Sequence, residues 1–245
     1  MCYTYKATAG SGVKKMGINI QGYQKLTLLD FPGKVACTVF TGGCNLRCPF
    51  CHNAGLVKNP FESENAYDDV IAYLSKRKGL LDGVCITGGE PLLQVHLADF
   101  IKEIKEMGYL VKLDTNGTLP ERLKEVLPLV DYVAMDIKSS PEGYDKATGA
   151  EIPFDVFFES IKLLRQSEVR YEFRTTAVKG IHTVEDFEKI ADILLPREKY
   201  YIQNFIDSGN LLSSGLSAFT KEEMKEIAET VRKKVPRTTL RGVDI

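Results

Sequence analysis

Three cysteines, Cys44, Cys48 and Cys51, fall within one short stretch, separated by three residues and then by two. A loop this tight brings three thiolates together, and soft thiolate ligands select zinc, copper(I) or iron–sulfur clusters. A four-iron cluster wants four cysteine thiolates, so three local cysteines leave one iron open to an outside ligand. Two other readings stand beside this one. A structural zinc needs a fourth ligand, and His52, adjacent to Cys51, is too near for the usual ligand spacing. A disulfide needs an oxidising compartment, which nothing in the chain indicates.

Further polar signatures follow the apolar runs of the chain. Gly83–Thr87 leads into Gly88-Gly89-Glu90, where two glycines let backbone approach a ligand closely. Leu110–Asp114 leads into Thr115-Asn116-Gly117, with Asp114 at the end of the run. Tyr132–Asp136 leads to Lys138, and the period of two puts Asp136 and Lys138 on one strand face. A lysine among acidic neighbours suits a zwitterionic ligand. Arg174 is a charge inside the strand-like run Arg170–Ala177 and needs a partner or a ligand; Arg170, at its entrance, is expected in solvent. Arg47 is read as a counter-charge to the thiolates, and His96 and His182 as structural or solvated. The basic runs 76–78 and 232–234 are read as solvated helix ends, favoured there by the helix dipole. Cys37 and Cys85, within apolar runs, are expected to act as small core residues.

The elements that position these residues alternate along the chain. Strand-like runs are Val35–Phe40, Gly83–Thr87, Leu110–Asp114, Tyr132–Asp136, Arg170–Ala177 and Tyr200–Gln203. Helical patterns lie near 65–77, 93–107, 119–127, 154–167, 183–194 and 220–234, the last opening with the capping box Thr220-x-x-Glu223. This alternation predicts an α/β fold with a parallel sheet. About six units fall short of the eight of a closed barrel, so an open, partial (β/α)6 TIM-like barrel in one domain is expected over residues 16–245. Residues 1–15, which include Cys2, read as a flexible leader, with Met16 as an alternative start. Residues 18–29 read as a hairpin or extended edge, and Asp30-Phe31-Pro32-Gly33 as a turn.

The 245 residues carry a net charge of -1, with 44% apolar and 27% charged side chains. That balance gives no general reason to bind nucleic acid or an anionic membrane. No apolar run approaches a membrane span and no secretory core opens the chain, so a cytoplasmic protein is expected.

The Cys-x3-Cys-x2-Cys spacing with Phe50 before the last cysteine resembles the signature of radical S-adenosylmethionine enzymes. In that family the cofactor's methionyl amino and carboxylate groups occupy the open iron of a [4Fe–4S] cluster, and one electron cleaves the sulfonium to a 5′-deoxyadenosyl radical. His52-Asn53 makes the loop similar to activating enzymes of glycyl radical enzymes. The flank Ile20–Lys34 resembles the lead-in of anaerobic ribonucleoside-triphosphate reductase activating proteins. The resemblance implies Cys44, Cys48 and Cys51 as cluster ligands. It implies Phe50, Asn53, Gly88, Gly89, Glu90, Asp114, Asn116, Asp136, Lys138 and Arg174 as cofactor contacts. Backbone of the Gly88-Gly89-Glu90 segment and Glu90 would meet the methionyl amino group, and Phe50 would stack on adenine. Asp114 and Asp136 would share a monovalent cation. No side chain need act as a general base. The partner expected first is anaerobic ribonucleotide reductase, with flavodoxin or a ferredoxin-type protein as electron donor. The chain has no histidine between 183 and 245, where pyruvate formate-lyase activators carry one. A pyruvate formate-lyase partner, or a small-molecule substrate as in 7-carboxy-7-deazaguanine synthase, is the alternative, and a non-enzymatic zinc protein stands behind both.

Overall fold

The computed structural model describes residues 3–4, 18–58, 66–207, 209 and 211–243. The expected leader lies outside the described residues, apart from a two-residue strand, β1 (Tyr3–Thr4), paired with β2. Cys2 and Met16 lie outside them as well.

Strand β2 (Ile20–Thr27) runs antiparallel to β3 (Ala36–Thr41), so the lead-in segment is an added strand of the main sheet, with only the two-residue β1 beyond it. Between them Lys34 N–H donates to Phe31 O at 3.1 Å, and Gly33 takes φ +69°, the left-handed position of a Pro-Gly turn. The turn also plugs the sheet's lower end. Phe31 is fully buried against Ala36 and Tyr132, and a Cβ on Gly83 would meet its ring at 2.9 Å.

From β3 onward helices alternate with parallel strands. The chain passes through α1 (Ala54–Lys58), α2 (Ala66–Ser75), β4 (Gly83–Gly88), α3 (Leu97–Glu106), β5 (Leu110–Thr115), α4 (Pro120–Val126) and β6 (Tyr132–Asp136). It continues through α5 (Tyr144–Thr148), α6 (Phe154–Gln166), β7 (Arg170–Ala177), α7 (Val184–Ile193), β8 (Tyr200–Asn204), α8 (Lys221–Arg232) and β9 (Thr238–Arg241). The strands pair strictly in chain order, and β3 to β9 are all parallel. The expected partial barrel is present, with one strand more than the sequence reading gave. That strand, β9, is short and mostly polar, so it carried no apolar signal. The Thr220–Glu223 capping box forms as expected at α8, and Thr183–Asp186 forms another at α7.

Period-two alternation divides each strand between two environments. Cys37, Val39, Val84, Ile86, Val111, Leu113, Val133, Met135 and Phe173 join the main apolar core with the helices. The other face looks into the barrel, and there the register sets Thr38 beside Cys85 and Cys85 beside Lys112. This interior is polar although buried: Thr38, Lys112 and Glu172 are each about 1% exposed. Cys85 belongs to it, fully buried as the small core residue expected, with its sulfur 3.7 Å from Lys112 Nζ.

Candidate active site

The cysteine loop leaves β3 at Thr41 and is tied down at several points. Gly43, at φ +84°, donates its N–H to Leu56 O at 2.9 Å, and Arg47 N–H donates to Thr148 O at 2.7 Å. Leu46, Cys48 and Phe50 pack with Ala147 of α5, with Val178 and Ile181 from the loop after β7, and with Phe205 just after β8. The Arg47 guanidinium donates to the carbonyls of Cys44 (2.6 Å) and Leu46 (2.8 Å). It braces the loop backbone, which corrects its reading as a counter-charge to the thiolates.

Cys44, Cys48 and Cys51 line a cavity of about 230 Å³ at the C-terminal ends of the strands. Burial raises the Cys44 thiol and pushes Cys48 up to about 11, so loading a metal group there releases protons. Among the described residues no three His, Cys, Asp or Glu side chains converge on a single metal-ion position. Three thiolates that would each hold a different iron of a cluster need not converge on one point.

The Gly88-Gly89-Glu90 segment is stitched to the cysteine loop by backbone. Gly89 N–H donates to Thr41 O (2.9 Å), Glu90 N–H to Gly43 O (2.8 Å), and Asn53 Nδ2 to Gly88 O (3.1 Å). A Cβ on Gly89 would lie 1.8 Å from Gly43 O, and one on Gly88 2.5 Å from Thr41 backbone. These glycines therefore permit loop-to-loop contact, in addition to lining the cavity. The Glu90 side chain is fully buried and is not among the cavity-lining residues. Its Oε1 accepts from Leu92 N–H (3.0 Å) and Thr115 Oγ1 (2.8 Å), and its Oε2 accepts from Asn116 N–H (2.7 Å). Burial pushes the carboxyl up to about 7 against those three donors. In this structure the carboxylate ties the Gly88–Glu90 loop to Thr115 and Asn116.

Asp114, Asp136, Lys138 and Arg174 line the same cavity as the thiols. Arg174 Nε donates to Asp136 Oδ1 (2.9 Å) and its Nη1 to Asp114 Oδ2 (3.2 Å); Lys138 Nζ donates to Asp136 Oδ2 (2.8 Å). Burial alone would raise Asp136, but Arg174 and Lys138 outweigh it and hold the carboxyl down at about 2. The fourth carboxylate oxygen, Asp114 Oδ1, is taken by Lys112, which the sequence reading did not single out. Its signal was available: Lys112 and Asp114 are two apart on one strand, hence on one face. Lys138 and Arg174 both reach the cavity, where a ligand with an anionic group can meet them.

Phe50 lines the cavity but is 4% exposed, with its ring 6.0 Å from that of His182. His182 is buried and fully partnered: Nδ1 accepts from Val178 N–H (3.1 Å), and Nε2 lies 2.7 Å from Lys138 O. Val178 N–H can only donate, so the ring proton sits on Nε2 and is donated to Lys138 O. The solvated alternative for His182 is thereby excluded. Thr87, Thr115, Thr176 and Gln203 also line the cavity, and Asn116 reaches toward Cys44.

Three thiols and both signs of charge around one cavity fit a soft-metal cluster beside a zwitterion. The comparisons agree. The chain matches the radical SAM superfamily over residues 38–194. It is 30% identical over 238 residues to a Methanocaldococcus jannaschii protein provisionally named a glycyl-radical enzyme activating enzyme, covering 92% of this chain and 96% of that one. It is 28% identical over 234 residues to the pyruvate formate-lyase-activating enzyme of Clostridium pasteurianum (87% and 96% covered). It is 29% identical over 203 residues to the 7-carboxy-7-deazaguanine synthase of Methanopyrus kandleri (72% and 78% covered). Among solved structures, Streptococcus suis SuiB bound to S-adenosylmethionine superposes with a TM-score of 0.64 at 16% identity, covering 82% of this chain and 48% of that one, a likeness of fold. The cofactors are those of the family, a [4Fe–4S] cluster and S-adenosylmethionine. This chain, with its three-cysteine loop set at the mouth of a partial barrel, belongs to the radical S-adenosylmethionine superfamily.

Proposed function

We propose that the protein activates a glycyl radical enzyme, foremost anaerobic ribonucleoside-triphosphate reductase, by taking a hydrogen atom from a glycine of that partner. The observation that carries the reading is the joining of Cys44, Cys48 and Cys51 to Asp114, Asp136, Lys138 and Arg174 in one cavity. Its support lies in relatives named for glycyl radical activation that align over nearly their whole length.

When bound, the cluster and S-adenosylmethionine supply an electron and a carbon radical. The chain's own residues bind and orient. The three cysteines hold the cluster. Lys138 and Arg174 attract the methionyl carboxylate, and Asp114 and Asp136 keep those two cations extended into the cavity. Phe50 gives the cavity an aromatic wall near the thiols. Gly88 and Asn53 fix the neighbouring loop, so the ligand meets a rigid backbone. Hydrogen-atom transfer moves no charge, so no general base is required. A monovalent cation would have to share carboxylate oxygens already engaged by Lys112, Arg174 and Lys138.

The electron donor is read as a flavodoxin or a ferredoxin-type protein and the compartment as the cytoplasm; no helix among the described residues is long and apolar enough to cross a membrane. The test is an anaerobic incubation with reductant, S-adenosylmethionine and the reductase, followed by electron paramagnetic resonance. A glycyl doublet with 5′-deoxyadenosine formation is expected. Deoxyadenosine released only with a pyruvate formate-lyase, or only with a small molecule, would replace the partner. The deazaguanine synthase relative gives that last outcome a definite form.

A further inference from the structure

We infer that Asn116 tunes the cluster's reduction potential, by donating a side-chain N–H to the sulfur of Cys44. Its Nδ2 lies 3.8 Å from Cys44 Sγ, and the amide has no freedom to turn. Asn116 Oδ1 accepts from Thr118 N–H (3.0 Å) and from Thr118 Oγ1 (2.6 Å). A backbone N–H can only donate, so the atom facing it must be oxygen, and the nitrogen is forced to the opposite side. One hydrogen of that nitrogen goes to Asn45 Oδ1 at 3.0 Å. Asn45 Nδ2 in turn donates to Thr118 Oγ1 at 2.7 Å, which closes a ring of three side chains. The hydrogen that remains is aimed at the sulfur.

The backbone is held as firmly. Asn116 N–H donates to Glu90 Oε2, so the buried carboxylate of the neighbouring loop sets where the amide stands. Asn116 is 6% exposed and Thr118 is 4%, so water does not compete for these bonds. A second donor, Leu46 N–H, reaches the same sulfur at 3.4 Å. Hydrogen bonds to a ligand sulfur stabilise the electron-rich, reduced cluster and raise its potential. Asn116 is therefore a positioning residue that eases arrival of the electron. The inference rests on the cluster reading of Cys44 and is independent of which partner is activated.

The test is a redox titration of the anaerobically reconstituted protein, monitored by the paramagnetic signal of the reduced cluster. Wild type that fails to take up four irons and four sulfides would defeat the cluster reading itself, before any potential is read. With clusters loaded, Asn116→Leu should shift the midpoint to more negative potential. At a fixed poise the reduced-to-oxidised ratio should fall about tenfold, equivalent to about 59 mV for one electron. Thr118→Val, which removes one donor orienting the amide and keeps Asn116, should shift it in the same direction by less. Thr118→Ser, which keeps the hydroxyl, should restore the wild-type midpoint. A fully loaded Asn116→Leu protein with an unchanged midpoint would overturn the inference. If that variant does not assemble a cluster, an unchanged midpoint in Thr118→Val overturns it instead.

Discussion

Arg174 Nε donates to Asp136 Oδ1 at 2.9 Å, joining two residues that stand opposite one another in the register of β6 and β7. The same guanidinium reaches Asp114 on β5, so one side chain ties three consecutive strands beside the cavity. Arginine suits this task because its planar fork presents several donors at fixed angles.

Arg174→Met leaves two largely buried carboxylates short of a counter-charge. Losing hydrogen bonds to charged groups in this way costs about 1.5–3 kcal/mol, and denaturant unfolding should show a loss of that order. Binding of S-adenosylmethionine should weaken in the same variant, as read by equilibrium dialysis. Arg174→Lys should recover little, since a point charge cannot serve both carboxylates. Unfolding of Arg174→Met at the wild-type midpoint would contradict this account.

Lys112 is the interior's own cation. Burial would lower its pKa, but Asp114 raises it, so the ammonium stays charged at 1% exposure. With every oxygen of Asp114 and Asp136 met by a protein cation, wild-type cofactor cleavage should be indifferent to replacing potassium by a bulky organic cation. Lys112→Met should lower the rate about tenfold, roughly 1.4 kcal/mol of barrier, and potassium should restore part of it. A wild-type enzyme that stops when potassium is withdrawn would show that a metal cation belongs in the site.

Glu90→Gln tests a carboxylate whose role is structural. Leu92 N–H meets one oxygen and Asn116 N–H the other, so either orientation of a glutamine amide sets N–H against N–H. Loss of a buried acceptor costs about 1–3 kcal/mol, and the melting temperature should fall accordingly. A glutamine variant with unchanged melting and only a raised KM would favour the direct-ligand reading.

Much of the site was legible because it follows strand ends. Asp114 and Asp136 close their strand-like runs, Lys138 and the cysteine loop follow theirs within a few residues, and a parallel sheet gathers such ends on one side. Arg174 lies inside its run and reaches them across the register of β6 and β7. Arg174 was read as a charge in need of a partner, and it has two. What stayed hidden depends on contacts between loops distant in sequence. Nothing in Gly-Gly-Glu distinguishes a carboxylate that meets a ligand from one that accepts Asn116 N–H across 26 residues. Phe31 reads as part of a turn, and only the register of β4 and β6 shows it as a plug. Likewise β9 contributes hydrogen bonds but little apolar surface, so its pattern is silent.

His182 supplies a pH-dependent element at the back of the site. Its unprotonated Nδ1 accepts from Val178 N–H, and protonation there would set two donors against each other. Burial lowers the ring's pKa below its ordinary 6.5. The unfolded chain therefore takes up this proton first as pH falls, and the stabilisation is complete above about pH 6.5 and lost as pH drops through the folded value. Glu90 acts in the opposite sense: its pKa rises from 4.5 to about 7, so its contribution is complete below pH 4.5 and lost as pH rises through about 7. The two windows overlap, and the wild-type curve alone cannot separate them. The difference between wild type and His182→Phe can. Phenylalanine leaves Val178 N–H and Lys138 O without partners, a cost of about 1–3 kcal/mol. Melting temperatures of both proteins should differ most above pH 6.5, and the gap should narrow on acidification. A gap that stays constant or widens toward low pH would mean that His182 does not carry its proton as the hydrogen bonds require.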